Sequence, residues 1–272
     1  MSPLLFLRAT CGSNHGLSID GDDRSGVFKV TPPLASGAPP TEYLLVIKAA
    51  GSKVTVAEAS QCHLPSACPD RHINPDGTFC LFWEEVEDAA IQNNEAANLW
   101  WGKLLLFLRR QGSASKLRMW PGKGDARAHG DAARYQASAE AEAEKLGPSF
   151  RTALREERLS TVKRTKSGKK GRTALLLDGK RLLTVLVKER RVMTLRQRCK
   201  CDWASERKLP MSDCQDHAAV FVNFTLAMQA WRSAELEYEK ALKRQNFVCC
   251  GTLDECPFAP SETETETAKL AA

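Results

Sequence analysis

The stretch "CPDRHINPDGTFCLFW", Cys68 to Trp83, decides how the chain is read. Cys80 stands three residues after Gly77 and directly behind Phe79, with His72 and Asn74 a few positions upstream. Pro69, Asn74-Pro75 and Asp76-Gly77 are turn signals, so the segment reads as a loop. Three readings of Cys80 are open. It is a buried core cysteine between Phe79 and Leu81, a metal ligand together with Cys62, His63, Cys68 and His72, or a nucleophile. A papain-like arrangement lacks an assignable base and orienting partner.

A thioester-forming loop needs an accessible thiol, donors aimed at the developing oxyanion, and anchors that hold the backbone. A thiol of pKa ~8.5 is only a few per cent thiolate near neutrality, yet that thiolate is a good nucleophile. Each oxyanion donor is worth about 3–4 kcal/mol in known sites. Phe79 and Leu81 can anchor the backbone, while His72 and Asn74 are donors within loop reach.

Upstream, "GVFKVTPP", "TEYLLVIKAA" and "SKVTVAEAS" read as strands of an antiparallel meander. The first two are separated by the turn-rich "PPLASGAPP". The second is apolar on both faces, as a central strand is. Downstream, "EAANLWWGKLLLFLRRQG" reads as a helix through Leu99, Trp100, Leu104, Phe107 and Leu108, with Gly112 as its stop. "DAARYQASAEAEAEKLGP" reads as another, capped by Asp131 and ended by Gly147-Pro148. The domain boundary is placed there, giving 1–147 and 148–260, with a polar tail at 261–272 expected to be disordered.

In the second region Asp178-Gly179 reads as a hairpin turn inside "ALLLDGKRLLTVLV", and "RVMTLRQRC" as one more strand. A long helix is expected from Ser212 to Asn246. Its apolar stripe is Ala218, Phe221, Phe224, Met228, Trp231, Ala234, Tyr238 and Leu242. The fold class is α+β throughout: a meander sheet with packed helices, then a basic, cysteine-rich α+β domain with one long helix.

At 43% apolar and 26% charged residues, the 272-residue chain has the composition of a folded soluble protein. No apolar run approaches the ~20 residues of a membrane span, and the N-terminal patch is too short for a signal peptide. A cytoplasmic location is expected. Ten cysteines in a reducing compartment read as ligands, catalytic groups or buried thiols rather than disulfides. Four lie in the first third, six from 199 onward, and none between 81 and 198.

Cys199, Cys201, Cys214 and His217 make a complete tetrahedral zinc set. A rival pairs Cys199 and Cys201 with the Cys249–Cys256 segment, and a third reading leaves the thiols free. At 1.5 Å per residue, an unbroken helix of about 33 residues spans roughly 50 Å, so Cys214 and Cys250 cannot share one ion. Residues 151–200 carry 17 basic and 4 acidic side chains, net +13 within a chain of net +6. Such a block can meet nucleic acid, an acidic protein or an acidic face of its own partner domain, or be a solvated face. It has few interleaved aromatics, and "SGKKGRT" lacks the P-loop pattern.

The pattern His72-Ile73-Asn74, a turn ending in Gly77, then Cys80-Leu81 resembles the active segment of ubiquitin-conjugating enzymes, and the resemblance covers roughly residues 1–147. It implies that Cys80 carries a modifier as a thioester and that Asn74 supports the oxyanion. Ile73 replaces the family's proline, and the spacer to Cys80 is two residues shorter, so His72 falls where the family Asn would lie. With no long N-terminal helix evident, the chain looks more like the bacterial relatives of these enzymes. These are associated with ThiF-type activating enzymes, JAB-type peptidases and antiphage (CBASS) operons. The implied partners are a ThiF-type activating enzyme, a ubiquitin-like modifier or modified protein C-terminus, and a target such as a nucleotidyltransferase. "CCGTLDECPF" is similar to the end of a cysteine-rich domain found with such proteins. The alternative is a zinc-stapled basic module binding nucleic acid or protein on an inactive conjugating-like scaffold.

Overall fold

The computed structural model describes residues 1–33, 40–60, 63–83, 85–122, 127–164, 171–207, 209–214, 216–254 and 256–259. The 261–272 tail and Cys62 lie outside them. The chain forms two compact units. The first is Met1–Pro121 with the described residues from Asn246 onward; the second is Gly122–Gln245. The boundary read at 147 from the sequence falls inside the second unit.

In the first unit, strands β1 (Gly16–Gly21), β2 (Ser25–Val30), β3 (Tyr43–Ala50) and β4 (Lys53–Glu58) form an antiparallel meander in the order β1-β2-β3-β4. Alternation explains the register. Phe28, Val30, Leu45, Ile47 and Val56 point to one face and are buried. Two helices cover that face. α1 (Pro3–Thr10) buries Leu4 and Leu7, and Ser2 caps it by accepting the Leu4 N–H. α2 (Asn94–Leu117) is capped by Asn93, whose side chain accepts the Ala96 N–H. Trp101 meets Phe28 edge-on at 5.7 Å and donates its indole N–H to the Leu7 carbonyl. Each such buried side chain is worth about 1.5–3 kcal/mol.

Two expectations for α2 fail. The helix runs through Gly112, whose missing side chain faces open space. A helical glycine costs about 1 kcal/mol, and the apolar face built by Trp101, Leu104, Leu108 and Ala114 outweighs it. Leu99 is 68% exposed and lies off that face.

The second unit opens with α3 (Ala132–Leu146) and α4 (Pro148–Arg155). Asp131 sits at the start of α3, in helical backbone geometry and without a side-chain cap bond. β5 (Leu159–Arg164), β6 (Arg172–Leu177), β7 (Lys180–Leu186) and the two-residue β8 (Arg191–Val192) form the second antiparallel sheet, again in sequence order. Asp178 and Gly179 both have positive φ, the requirement of a tight I′ hairpin turn. A short α5 (Asp202–Arg207) precedes the long α6 (His217–Arg244). The first half of α6 is the buried half. Phe221 and Phe224 both pack edge-on to Phe150 in a core with Leu175, Leu183, Val185 and Cys214. Met228 and Trp231 are partly buried.

Gly147 joins α3 to α4 at φ 115°, ψ 170°, a region essentially reserved for glycine. An added Cβ would stand 2.5 Å from Asp202 Oδ2, and that carboxylate accepts the Ser149 N–H at 2.8 Å. Gly147→Ala is therefore expected to destabilise the second unit by about 2–4 kcal/mol, read as a lower denaturant midpoint.

Candidate active site and metal centres

The loop from Cys68 to Cys80 folds into a miniature sheet. Cys68 and Ile73 exchange both backbone hydrogen bonds at 3.0 Å. Ile73 in turn bridges to Phe79, flanked by the Asn74 N–H on the Thr78 carbonyl (2.8 Å) and the Cys80 N–H on the His72 carbonyl (2.9 Å). Phe79 also donates its N–H to Val56 of β4, which ties the loop to the meander. In this register His72 lies opposite Cys80, and Asn74 opposite Thr78.

Side chains alternate across such a hairpin. Ile73 and Phe79 are buried, the latter stacked on Phe107 at 4.7 Å. His72, Asn74, Thr78 and Cys80 take the other face; Asn74 and Cys80 are exposed. The structure thus places the three sequence-predicted residues on one outward face. It removes the buried-core reading of Cys80, since that cysteine is exposed.

Local bonds shape the turn. Asn74 donates its amide to Thr78 Oγ1 (2.9 Å), and Thr78 donates its hydroxyl and its N–H to Asp76 Oδ1 (2.6 and 3.0 Å). These bonds from Thr78, the hydroxyl first, hold the Asp76 carboxyl below its usual range. A lowered carboxyl pKa contributes stability above its unfolded value and loses it as pH falls through the folded one. The brace is therefore intact at neutral pH. His72 adopts the left-handed region (φ 55°) and packs against Trp120, ring centroids 5.0 Å apart.

Beneath this face lies Arg71, 2% exposed. Its Nε donates to Gln111 Oε1 (2.7 Å), and its two terminal nitrogens donate to Thr252, the Gln111 carbonyl and Ser115. Gln111 returns a bond from its amide to the Arg71 carbonyl at 2.6 Å. Burial opposes the Arg71 charge, while the Cys250 and Cys68 sulfurs favour it. Arg71→Met would strand these acceptors, so we expect a loss of about 3 kcal/mol in the first unit, measured by urea unfolding. Arg71→Lys should recover only part of it, since an ammonium lacks the planar fork.

In the second unit Cys199, Cys201, Cys214 and His217 come together, their ligand atoms all within 4.8 Å of one another. Cys199 and Cys201 lie on the chain leading into α5. Cys214 closes a 3-10 turn, Met211–Asp213, and His217 opens α6. A tetrahedral zinc ion with Zn–S of about 2.3 Å and Zn–N of about 2.0 Å has edges of roughly 3.5–3.8 Å. The observed separations are 3.6 Å for Cys201–Cys214, 3.7 Å for Cys199–His217 and 3.1 Å for Cys214–His217. Donor type, number and spacing fit a tetrahedral metal. Burial and the Cys199 and Cys201 thiols push the Cys214 thiol up to about 12, which a cation would reverse. The Ala204 N–H donates to Cys201 Sγ at 3.3 Å.

Cys62 lies outside the described residues, and Cys68 forms no metal group with His63, His72 and Cys80 among those described. It lies instead with Cys249 and Cys250, ligand atoms again within 4.8 Å of one another. Among the described residues the group that Cys199 and Cys201 form is the one with Cys214 and His217. Sequence reading missed the Cys68 group, together with Arg71, Gln111 and Trp120. The only linear signal was Cys249-Cys250 followed by Cys256.

In the basic block several cations are engaged within their own unit. Arg158 pairs with Asp178 and Glu156, Arg151 with Glu144, and Arg190 donates to Asn223. Residues 165–170 of the block lie outside the described residues. Among the described residues no helix is long and apolar enough to cross a membrane.

A four-stranded meander with packed helices and this loop falls in the class of ubiquitin-conjugating-like, or E2-like, proteins. Residues 18–122 match the family model of the prokaryotic E2 domain, and residues 128–258 match that of a cysteine-rich domain C-terminal to the E2 domain. The chain belongs to this family: a prokaryotic E2 domain followed by its cysteine-rich partner. No curated protein and no solved structure matches it significantly. The family implies a ubiquitin-conjugating-like function with activating-enzyme-like and ubiquitin-like partners in the general sense.

Proposed function

We propose that the protein is a transferase that carries a ubiquitin-like modifier, or a protein C-terminus, as a thioester on Cys80 and passes it to a target amine. One observation carries the reading: an exposed cysteine on the same hairpin face as His72 and Asn74. The Cys80 thiolate attacks the carbonyl of the modifier thioester on a ThiF-type activating enzyme. A new C–S bond forms, and the activating enzyme's sulfur leaves as the thiolate. A target amine then attacks the same carbonyl. The C–N bond forms, Cys80 leaves as thiolate, and the amine's proton passes to solvent. His72 or Asn74 donates to the oxyanion in each step.

Zinc held by Cys199, Cys201, Cys214 and His217 has a structural role, since four protein ligands leave no open position. The antiphage setting and a nucleotidyltransferase target rest on the resemblance to bacterial relatives alone. The test is to incubate the protein with a ThiF-type activating enzyme, ubiquitin-like carrier and ATP. An adduct that a reducing thiol releases supports the reading; an adduct that survives the Cys80→Ala exchange overturns it.

A further inference from the structure

Cys68, Cys249 and Cys250 cluster within the first unit, with Cys249 and Cys250 sulfurs 3.7 Å apart. Cys256 is the candidate fourth ligand. It is buried on the same segment as Cys249 and Cys250. With Cys256 as the fourth ligand the set would be a complete tetrathiolate, and 3.7 Å matches the roughly 3.8 Å edge of a zinc–sulfur tetrahedron. Cys68 lies in the part of the chain matching the E2 domain. The other three lie in the part matching the cysteine-rich domain. The segment that delivers them is held by the Cys249 N–H on the Phe258 carbonyl and the Cys256 N–H on the Leu253 carbonyl.

A second observation points to an ionised cluster. The Arg71 guanidinium is buried, and its four hydrogen bonds among the described residues end on uncharged acceptors. A buried cation needs a counter-charge. Four thiolates around a divalent cation carry net charge −2. The Thr252 hydroxyl connects the two: it accepts from Arg71 at 3.1 Å and lies 2.9 Å from Cys250 Sγ. A hydroxyl so placed can donate to a thiolate.

We propose that Cys68, Cys249, Cys250 and Cys256 bind a zinc-type divalent ion that clamps the C-terminal segment to the loop bearing Cys80. The mechanical link is short. Cys68 is paired to Ile73, Ile73 to Phe79, and Cys80 follows. Removing the ion frees the first strand of that miniature sheet. The clamp's effect on transfer rests on Cys80 being the acceptor; the metal site itself does not.

The test uses the full chain purified from zinc-supplemented cells. Elemental analysis should find two zinc ions per chain. Cys68→Ser should leave one, Cys214→Ser should leave one, and the double variant none. Cobalt bound to Cys214→Ser should give a tetrahedral spectrum with strong sulfur-to-cobalt charge transfer. One ion or none in the unmutated protein overturns the site. So does an intact mass two hydrogens low, which marks a disulfide. Cys68→Ser should also slow thioester formation by about 10- to 100-fold, as small displacements of reacting groups do. Unchanged charging with one ion lost overturns the clamp. Two ions without any Cys80 adduct would reject the transferase reading and leave the metal site standing.

Discussion

Cys80→Ala is expected to abolish the thiol-sensitive adduct, and Cys80→Ser to convert it to an ester that reducing thiols do not release. The reasoning begins with position. The chain has ten cysteines, and the loop register turns Cys80 outward beside His72 and Asn74. Cys68, Cys199, Cys201, Cys214, Cys249 and Cys256 are buried and cannot meet a carbonyl held by a large partner. Alanine has no nucleophile, so adduct on this variant at even a tenth of the normal yield would place the acceptor elsewhere. Serine keeps the shape but replaces the thiol with a far less acidic hydroxyl, so charging slows and the product persists. Asn74→Ala probes the second step. Loss of one oxyanion donor should slow transfer to amines by about 10²–10³ while Cys80 remains chargeable. Its amide also braces Thr78. Thr78→Val, which removes the acceptor of that brace and keeps the Asn74 amide, therefore separates the two roles.

How much of this was legible beforehand follows from what is local. β2, β3 and β4 announce themselves by alternation. The β6–β7 hairpin shows through Asp178-Gly179, whose positive φ values few other pairs tolerate. β1 was missed because "GLSIDG" is an edge strand with hardly any buried side chain to pattern. α1 was missed because eight residues with a mostly apolar sequence show little periodicity, although Ser2-Pro3 is a helix start signal. α4 hid in a run dominated by charge. The four ligands from Cys199 to His217 lie within 19 residues, and their donor types sufficed. The Cys68 group spans 181 residues to Cys249, and no spacing rule reaches that far. Nor could composition show that the chain beyond α6 returns to the first unit, since it is contacts distant in sequence, such as Arg71 with Thr252, Arg118 with Asp254 and Cys249 with Ala67, that bring it back.

Cys214→Ser, or zinc removal by a strong chelator, is expected to unfold the second unit. Cys199, Cys201 and Cys214 are not attached to the edge of that core; they are part of it, packed with Met211, Ala204 and Phe221. The segment from Cys199 to His217 has little regular structure to hold it: a six-residue helix, one 3-10 turn and the Arg198–Pro210 bridge. Structural zinc in small domains contributes roughly 10–16 kcal/mol of binding free energy, against about 5–15 kcal/mol of total stability for a typical domain. Its loss should therefore leave the unit near or past its folding midpoint. Hydrogen exchange is the direct measurement. Amides of β8 and of α6 from Val220 to Thr225 should lose protection by several orders of magnitude, while β2 and β3 of the first unit keep theirs. If those α6 amides stayed protected in metal-free protein, the four groups would be ordinary buried thiols and an ordinary histidine. The cost of Cys214→Ser would then be only the about 1–3 kcal/mol of a hydroxyl placed among apolar neighbours.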